Sequence, residues 1–121
     1  MKYVVRRAAE AERKKDTTPW GSLNWLANQE LTASSKMTVG RVVIKKGQHN
    51  PKHSHGNCQE LLYLLAGRLE HAVGDESVTL NPGDTLIVEA GVPHNAQSIG
   101  DVDADMIVVY DTGARHFQKE A

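Results

Sequence analysis

The rhythm of short apolar runs limits the fold of this chain more than any other feature. The runs "SLNWLA", "MTVGRVVIK", "ELLYLLA", "RLEHAV", "SVTL", "DTLIVE" and "DADMIVVY" are rich in Val, Leu, Ile, Thr and Tyr. Turn formers separate them: Lys46-Gly47, Gly74-Asp75, Asn81-Pro82-Gly83, Ala90-Gly91, Gly100-Asp101 and Thr112-Gly113. Strands this short and this regularly spaced predict an all-β antiparallel sandwich or barrel. Residues 5–16 are Ala- and charge-rich and read equally as a short helix or a solvated arm. The expected division is an N-terminal arm over 1–20, the barrel over 21–112 and a tail over 113–121, whose "RHFQKEA" is expected to fray. In "LNPGDTL", Pro82 and Gly83 suit the centre of a tight turn, because Pro presets one dihedral and Gly accepts a positive one. The two strands joined there are expected to be neighbours.

A chain of 121 residues with 40% hydrophobic content fits one domain with a single core. The formal net charge of -1 gives no basic excess for nucleic acid. No basic amphipathic segment points to a membrane surface, and no apolar run is long enough to span a bilayer. Cys58 is the single cysteine, which excludes an internal disulfide and fits a reducing compartment. The first fifteen residues lack the apolar stretch of a signal peptide. A cytoplasmic protein with neither nucleic-acid nor membrane partners is expected.

The stretch "GQHNPKHSHGNCQELLYLLAG" raises a question of chemistry. Residues two apart on a strand share a face, so His53 and His55 present both imidazoles to one side, with Cβ atoms roughly 6.5–7 Å apart. Two such rings can converge on one ion at about 2.1 Å. After the turn pair Gly56-Asn57, Glu60 is expected to open the next strand, beside the first. There Glu60, Leu62, Leu64 and Ala66 share one face and Leu61, Tyr63 and Leu65 the other. Both faces are apolar, which predicts cover on both sides and places a carboxylate at the edge of a core. Such a carboxylate needs a cation or hydrogen bonds. His94, after the turn "AGVP", is a fourth candidate ligand. Three imidazoles and a carboxylate would leave two positions open on an octahedral ion for water, O₂ or a chelating substrate. By itself His-x-His is weak evidence, since surface histidines and hydrogen-bonded core histidines are common.

The whole pattern resembles the cupin family. Gly47, five residues, His53-x-His55, four residues, Glu60, six residues and Gly67 match the family's first motif at every spacing. Gly83, Gly91 and His94 resemble the second motif, with Glu89 where proline is usual and Ser98 where asparagine is usual. The likeness covers residues from about 38 to 110. It implies a jelly-roll β-barrel with a metal inside, held by His53, His55, Glu60 and His94. The implied cofactor is one divalent transition metal ion: Zn, Fe, Mn, Ni or Co. Cupins are often dimers packed sheet on sheet, so a homodimer is expected. The outer face of Leu61, Tyr63 and Leu65 would be covered by a second subunit or by the N-terminal segment.

Leu69, His71 and Val73 alternate toward the barrel in a strand that opens directly after Gly67. His71 is therefore a candidate general base or substrate hydrogen-bonder, and a rim histidine if the register slips by one. Tyr110 either donates a hydrogen bond at the pocket mouth or packs in the core. Cys58 is read as a small hydrophobe, and His49 and His116 as surface residues. Trp20 and Trp25 are expected ahead of the barrel strands, covering a sheet face or an interface.

The leading expectation is a metal-dependent enzyme acting on a small oxygen-rich metabolite by Lewis-acid and proton-transfer chemistry, of isomerase, lyase or cyclase type. An Fe(II) dioxygenase is the alternative. A non-catalytic cupin that binds a sugar or small acid is the alternative from another class.

Overall fold

The computed structural model describes residues 2–34 and 36–120. Helix α1 (Ala8–Arg13) precedes strands β1 (Asp16–Thr18) and β2 (Gly21–Ala27), and helix α2 (Gln29–Thr32) follows them. Then come β3 (Thr38–Ile44), β4 (His53–Ser54), β5 (Glu60–Ala66), β6 (Leu69–Val73), β7 (Glu76–Leu80), β8 (Thr85–Val88), β9 (His94–Ser98), β10 (Ala104–Tyr110) and β11 (Gln118–Lys119). They form two antiparallel sheets, ordered β1-β2-β3-β10-β5-β8 and β11-β4-β9-β6-β7, the arrangement of a jelly-roll barrel.

Side-chain alternation builds the core between the sheets. Along β3, Thr38, Gly40, Val42 and Ile44 are buried; along β10, Ala104, Met106, Val108 and Tyr110 are. Leu62 and Leu64 of β5 and Leu69 of β6 meet them. Each such large apolar side chain contributes roughly 1.5–3 kcal/mol by leaving water. Gly40 sits inside this pattern for a steric reason. It pairs with Trp25 across the β2–β3 ladder, and a Cβ there would lie 2.6 Å from the indole. The missing side chain lets the ring lie flat against the barrel wall.

Several sequence expectations need correction. The Asn81–Asp84 turn is tight, with Asp84 N–H donating to the Asn81 carbonyl at 3.0 Å and Gly83 at φ 93°. Yet the strands it joins are not neighbours: β7 lies in one sheet and β8 in the other. Gly83 N–H bonds to the Leu64 carbonyl at 2.8 Å, so the exit from the turn is captured by the edge of β5. Likewise β4 and β5 are in opposite sheets, so Glu60 faces the histidine strand across the barrel instead of lying beside it. The register of β6 is set by β9, which carries His94, and by β7, with His71 opposite Ala96 and Val78. Leu69 and His71 point inward.

Through Glu120 the tail docks on the barrel, where a frayed end was expected. β11 adds to the edge of β4, Ser54 Oγ donates to Glu120 Oε1 at 2.8 Å, and Glu120 N–H donates to the Lys52 carbonyl at 2.9 Å. The edge of a two-residue strand offers backbone partners that this polar segment takes up. The outer face of β5 is left uncovered by the described residues. Tyr63 is 41% exposed, Leu65 46% and neighbouring Ile87 57%, while α1 packs on β2 instead, through buried Ala11.

Candidate metal centre

Two ladders and one turn assemble the four ligand candidates. His53 on β4 and His94 on β9 are direct cross-strand partners. His55 follows β4 immediately. Glu60, the first residue of β5, sits between Val88 and Tyr110 in the facing sheet. All four are buried, and one N or O atom from each lies within 4.8 Å of the others. His55 Nε2 is 3.2 Å and His94 Nε2 is 3.4 Å from the same oxygen, Glu60 Oε1. Ligands held at about 2.1 Å by one ion stand roughly 3–4 Å apart, which is the scale of this cluster.

The hydrogen bonds fix which ring nitrogens face inward. His53 Nδ1 donates to the Pro51 carbonyl at 2.7 Å, His55 Nδ1 to that of His116 at 2.7 Å, and His94 Nδ1 to that of Val92 at 2.9 Å. In each neutral imidazole the Nε2 lone pair is therefore the inward group. His55 Nε2 and His94 Nε2 are fully buried and, among the described residues, have no hydrogen-bond partner despite their closeness to Glu60. Lone pairs crowded against a carboxylate repel one another, and a buried polar atom without a partner costs free energy. A cation at the point of convergence resolves both problems. The donor set, three backbone-oriented imidazoles and one carboxylate, suits a divalent first-row metal.

In the bare cluster a proton on an imidazole Nε2 is the alternative cation, and the shifts of Glu60, His53 and His94 describe that state. Burial would push Glu60 up, but the imidazoles of His55 and His94 outweigh it and hold the carboxyl below the usual carboxylate range. Burial lowers His53 to about 4, so its ring is neutral and available as a donor. Burial likewise lowers His71 to about 4. His94 experiences the same burial, yet Glu60 raises it on balance. The Tyr110 hydroxyl is pushed well up by burial and by Glu60, and it stays protonated.

A cavity of about 110 Å³ opens onto this cluster. His71 and Tyr110, the two residues expected to do chemistry, both line it. The His71 ring centroid lies 5.7 Å from that of His94, and its Nδ1 lies 3.3 Å from the Ala72 carbonyl. Trp20 and Trp25 also line the cavity, and Trp25 is part of β2, within the barrel sheet and not ahead of the barrel strands. Cys58 is a buried core residue whose thiol is pushed up by burial. His49 and His116 are exposed, although the His116 carbonyl orients His55. Ser98, standing where the cupin pattern has asparagine, is buried, and its Oγ has no partner among the described residues.

Residues 114–120 supply functional groups that the sequence reading missed. Phe117, the chain's single phenylalanine, stacks on His53 with centroids 4.8 Å apart and planes at 21°. The Arg115 guanidinium lies over Trp25 at 4.5 Å and over Tyr110 and Phe117 at 5.4 Å each. Asn57, in the turn between the ligands, clasps the segment: its Nδ2 donates to the Ala114 carbonyl at 2.9 Å and its Oδ1 accepts from His116 N–H at 2.8 Å. A lone phenylalanine in a polar tail was the only available signal.

The fold and site define a small jelly-roll protein with an inward three-histidine, one-glutamate cluster capable of binding a metal ion. The profile of the cupin domain matches residues 40–110, and the chain belongs to that family. Germin-like protein 3-8 from Oryza sativa subsp. japonica is 32% identical over 81 residues, covering 63% of this chain and 36% of that protein. Polyketide synthase CurC from Streptomyces cyaneus is 24% identical over 106 residues, covering 88% of this chain and 66% of that protein. Among solved structures, Bacillus subtilis oxalate decarboxylase, an enzyme with Mn(II) centres, superposes with a TM-score of 0.81 at 17% identity. That match covers 87% of this chain and 29% of the decarboxylase. The chain thus spans well under half the length of the germin-like protein and of the decarboxylase.

Proposed function

We propose that this chain is a metal-dependent enzyme acting on a small oxygen-rich metabolite by Lewis-acid and proton-transfer chemistry, of isomerase, lyase or cyclase type. One observation carries the reading. A buried histidine that is not among the four clustered candidates, His71, lines the same largely apolar cavity as the cluster. His53, His55, Glu60 and His94 would hold one divalent ion, Zn, Fe, Mn, Ni or Co, whose identity follows availability more than the donor set. When bound, the ion polarises a chelated carbonyl or carboxylate and acidifies the adjacent C–H. His71 is placed to move that proton: with Nδ1–H directed to the Ala72 carbonyl, Nε2 holds the lone pair of a neutral ring. Tyr110, protonated beside Glu60, is placed to donate a hydrogen bond to a substrate oxygen. The apolar wall of Leu62, Val108 and Met106 excludes water from the transfer. Similarity to a polyketide synthase along most of the chain supports an enzymatic role. A cytoplasmic setting and a homodimer belong to the same proposal.

The test is solvent exchange. Metal-loaded protein in D₂O is screened against small ketones, 2-oxo acids and hydroxy acids, and loss of the C–H signal beside the carbonyl is followed by NMR. Exchange is expected for at least one compound, and His71→Phe should slow it roughly 10²–10⁴-fold at unchanged metal content. Turnover that consumes O₂ without any exchange would replace this reading with oxygenase chemistry.

A further inference from the structure

The cavity has a charged group at its mouth that the metal chemistry does not use. Arg115 lines both the inner cavity and the open groove outside it, where Asn28 and Glu30 also lie. Three aromatic rings, those of Trp25, Tyr110 and Phe117, hold its guanidinium. Among the described residues, Arg115 has no ion pair, and none of its side-chain nitrogens hydrogen-bonds to another residue. Glu30 shares the groove but lies beyond ion-pair distance.

This environment is unusual for an arginine that serves only as packing. Cation–π contacts satisfy the faces of the planar guanidinium but leave its in-plane N–H donors open. Those donors form a fork that matches a carboxylate in two parallel hydrogen bonds. The rings also restrict the side chain beforehand, so less conformational freedom is lost when an anion binds. The other charged residue lining the cavity is Glu60, at the metal cluster. With Glu60 committed to the cluster, Arg115 is the charged side chain left in the cavity lining to meet an anionic group.

We infer that Arg115 is the substrate-orienting residue of this site and that the ligand is a small carboxylic acid. Its carboxylate pairs with Arg115 at the mouth, and its second oxygen function reaches the cluster of His53, His55, Glu60 and His94. The inference rests on the proposed reading of the cavity as the site of a small oxygen-rich ligand and narrows it to anions. Because Arg115 belongs to the segment that also carries Phe117 and the His116 carbonyl, one stretch of chain would supply anion recognition, a wall of the cavity and the orientation of a metal ligand.

The experiment uses metal-loaded full-length protein and calorimetric titration with glycolate, malonate and succinate, each against its uncharged amide. The wild type should bind at least one of the acids ten-fold or more tightly than the matching amide. Arg115→Gln should weaken that acid by on the order of 10–100-fold and leave the amide and the metal content unchanged. Arg115→Lys, which keeps the charge but not the fork, should recover part of the loss. Equal acid affinity in wild type and Arg115→Gln, or no preference for acids in the wild type, would overturn the inference. Metal content in the same samples separates it from the reading beneath it. Full metal with no acid preference removes the role of Arg115 alone. An Arg115-dependent preference in a wild type that binds no metal removes the metalloenzyme reading and leaves the role of Arg115 standing.

Discussion

Asn57→Ala is a sharp probe of how this site is held, because Asn57 does not line the cavity and its side chain bonds to Ala114 and His116. Its side chain makes two hydrogen bonds to the 114–120 segment, at 2.9 and 2.8 Å. Partly exposed bonds of this kind contribute about 0.5–1.5 kcal/mol each, so their loss shifts docking of the segment by roughly 1–3 kcal/mol. The segment stays tethered by β11 and by the Ser54–Glu120 bond. Even so, the His116 carbonyl would no longer be pinned against His55 Nδ1, where it now sits at 2.7 Å. Loss of such an outer hydrogen bond to a ligating histidine typically costs 10–100-fold in metal affinity. Asn57→Ala should therefore weaken metal binding by about an order of magnitude in a competition titration against a chromophoric chelator, and should speed proteolysis after Arg115 or Lys119. Asn57→Asp keeps the acceptor for His116 N–H and should fall between the two. Wild-type metal affinity in Asn57→Ala, alongside faster proteolysis of the segment, would show that the His116 carbonyl does not position His55.

Three further outcomes follow from the same structure. Removing the metal with a chelator should lower the melting temperature by on the order of 10 °C, since an ion present at 100 times its dissociation constant contributes about 2.7 kcal/mol; differential scanning calorimetry reads this directly. In the metal-free protein, His71 titrates near 4 when folded and near 6.5 when unfolded. Above pH 6.5 neither state binds the proton; as pH falls from 6.5 to 4 only the unfolded chain does, so stability drops by roughly 3 kcal/mol. Denaturant titrations should show the wild type losing about that much more than His71→Phe across this window, and parallel losses would mean His71 is not held neutral. The exposed Tyr63, Leu65 and Ile87 on the outer face of β5 and β8 should be covered by a second copy. Sedimentation should then give a dimer that Tyr63→Glu with Leu65→Lys converts to a monomer of unchanged metal content, and a monomeric wild type would refute this.

Much of the barrel was legible because alternation carries through. On β3 and β10 every second residue is buried, as the runs "TVGRVVI" and "ADMIVVY" imply. The four ligand candidates were legible because their spacing in sequence encodes a turn and two strand starts. What sequence could not convey was sheet membership. The turn at Asn81–Asp84 read as joining neighbouring strands, and the backbone bonds that send β8 to β5 involve residues far away in the chain. That Trp25 lines the cavity was not legible, because its placement depends on Gly40, whose missing side chain matters only once the two strands pair. Residues 114–120 were invisible because a polar segment without periodicity gives no signal when its partners are the edge of β4, one asparagine and three aromatic rings.

The account stands or falls on one divalent ion held by His53, His55, Glu60 and His94. The direct measurement is metal stoichiometry by plasma mass spectrometry after loading and exhaustive dialysis, on the wild type and on the His53→Ala, His94→Ala double variant, repeated from pH 8 to pH 5. The expected result is one ion per chain in the wild type, weakening retention toward pH 5 as a proton competes for His94, which Glu60 makes easier to protonate, and no retained ion in the folded double variant. Full metal content in that variant would contradict the account.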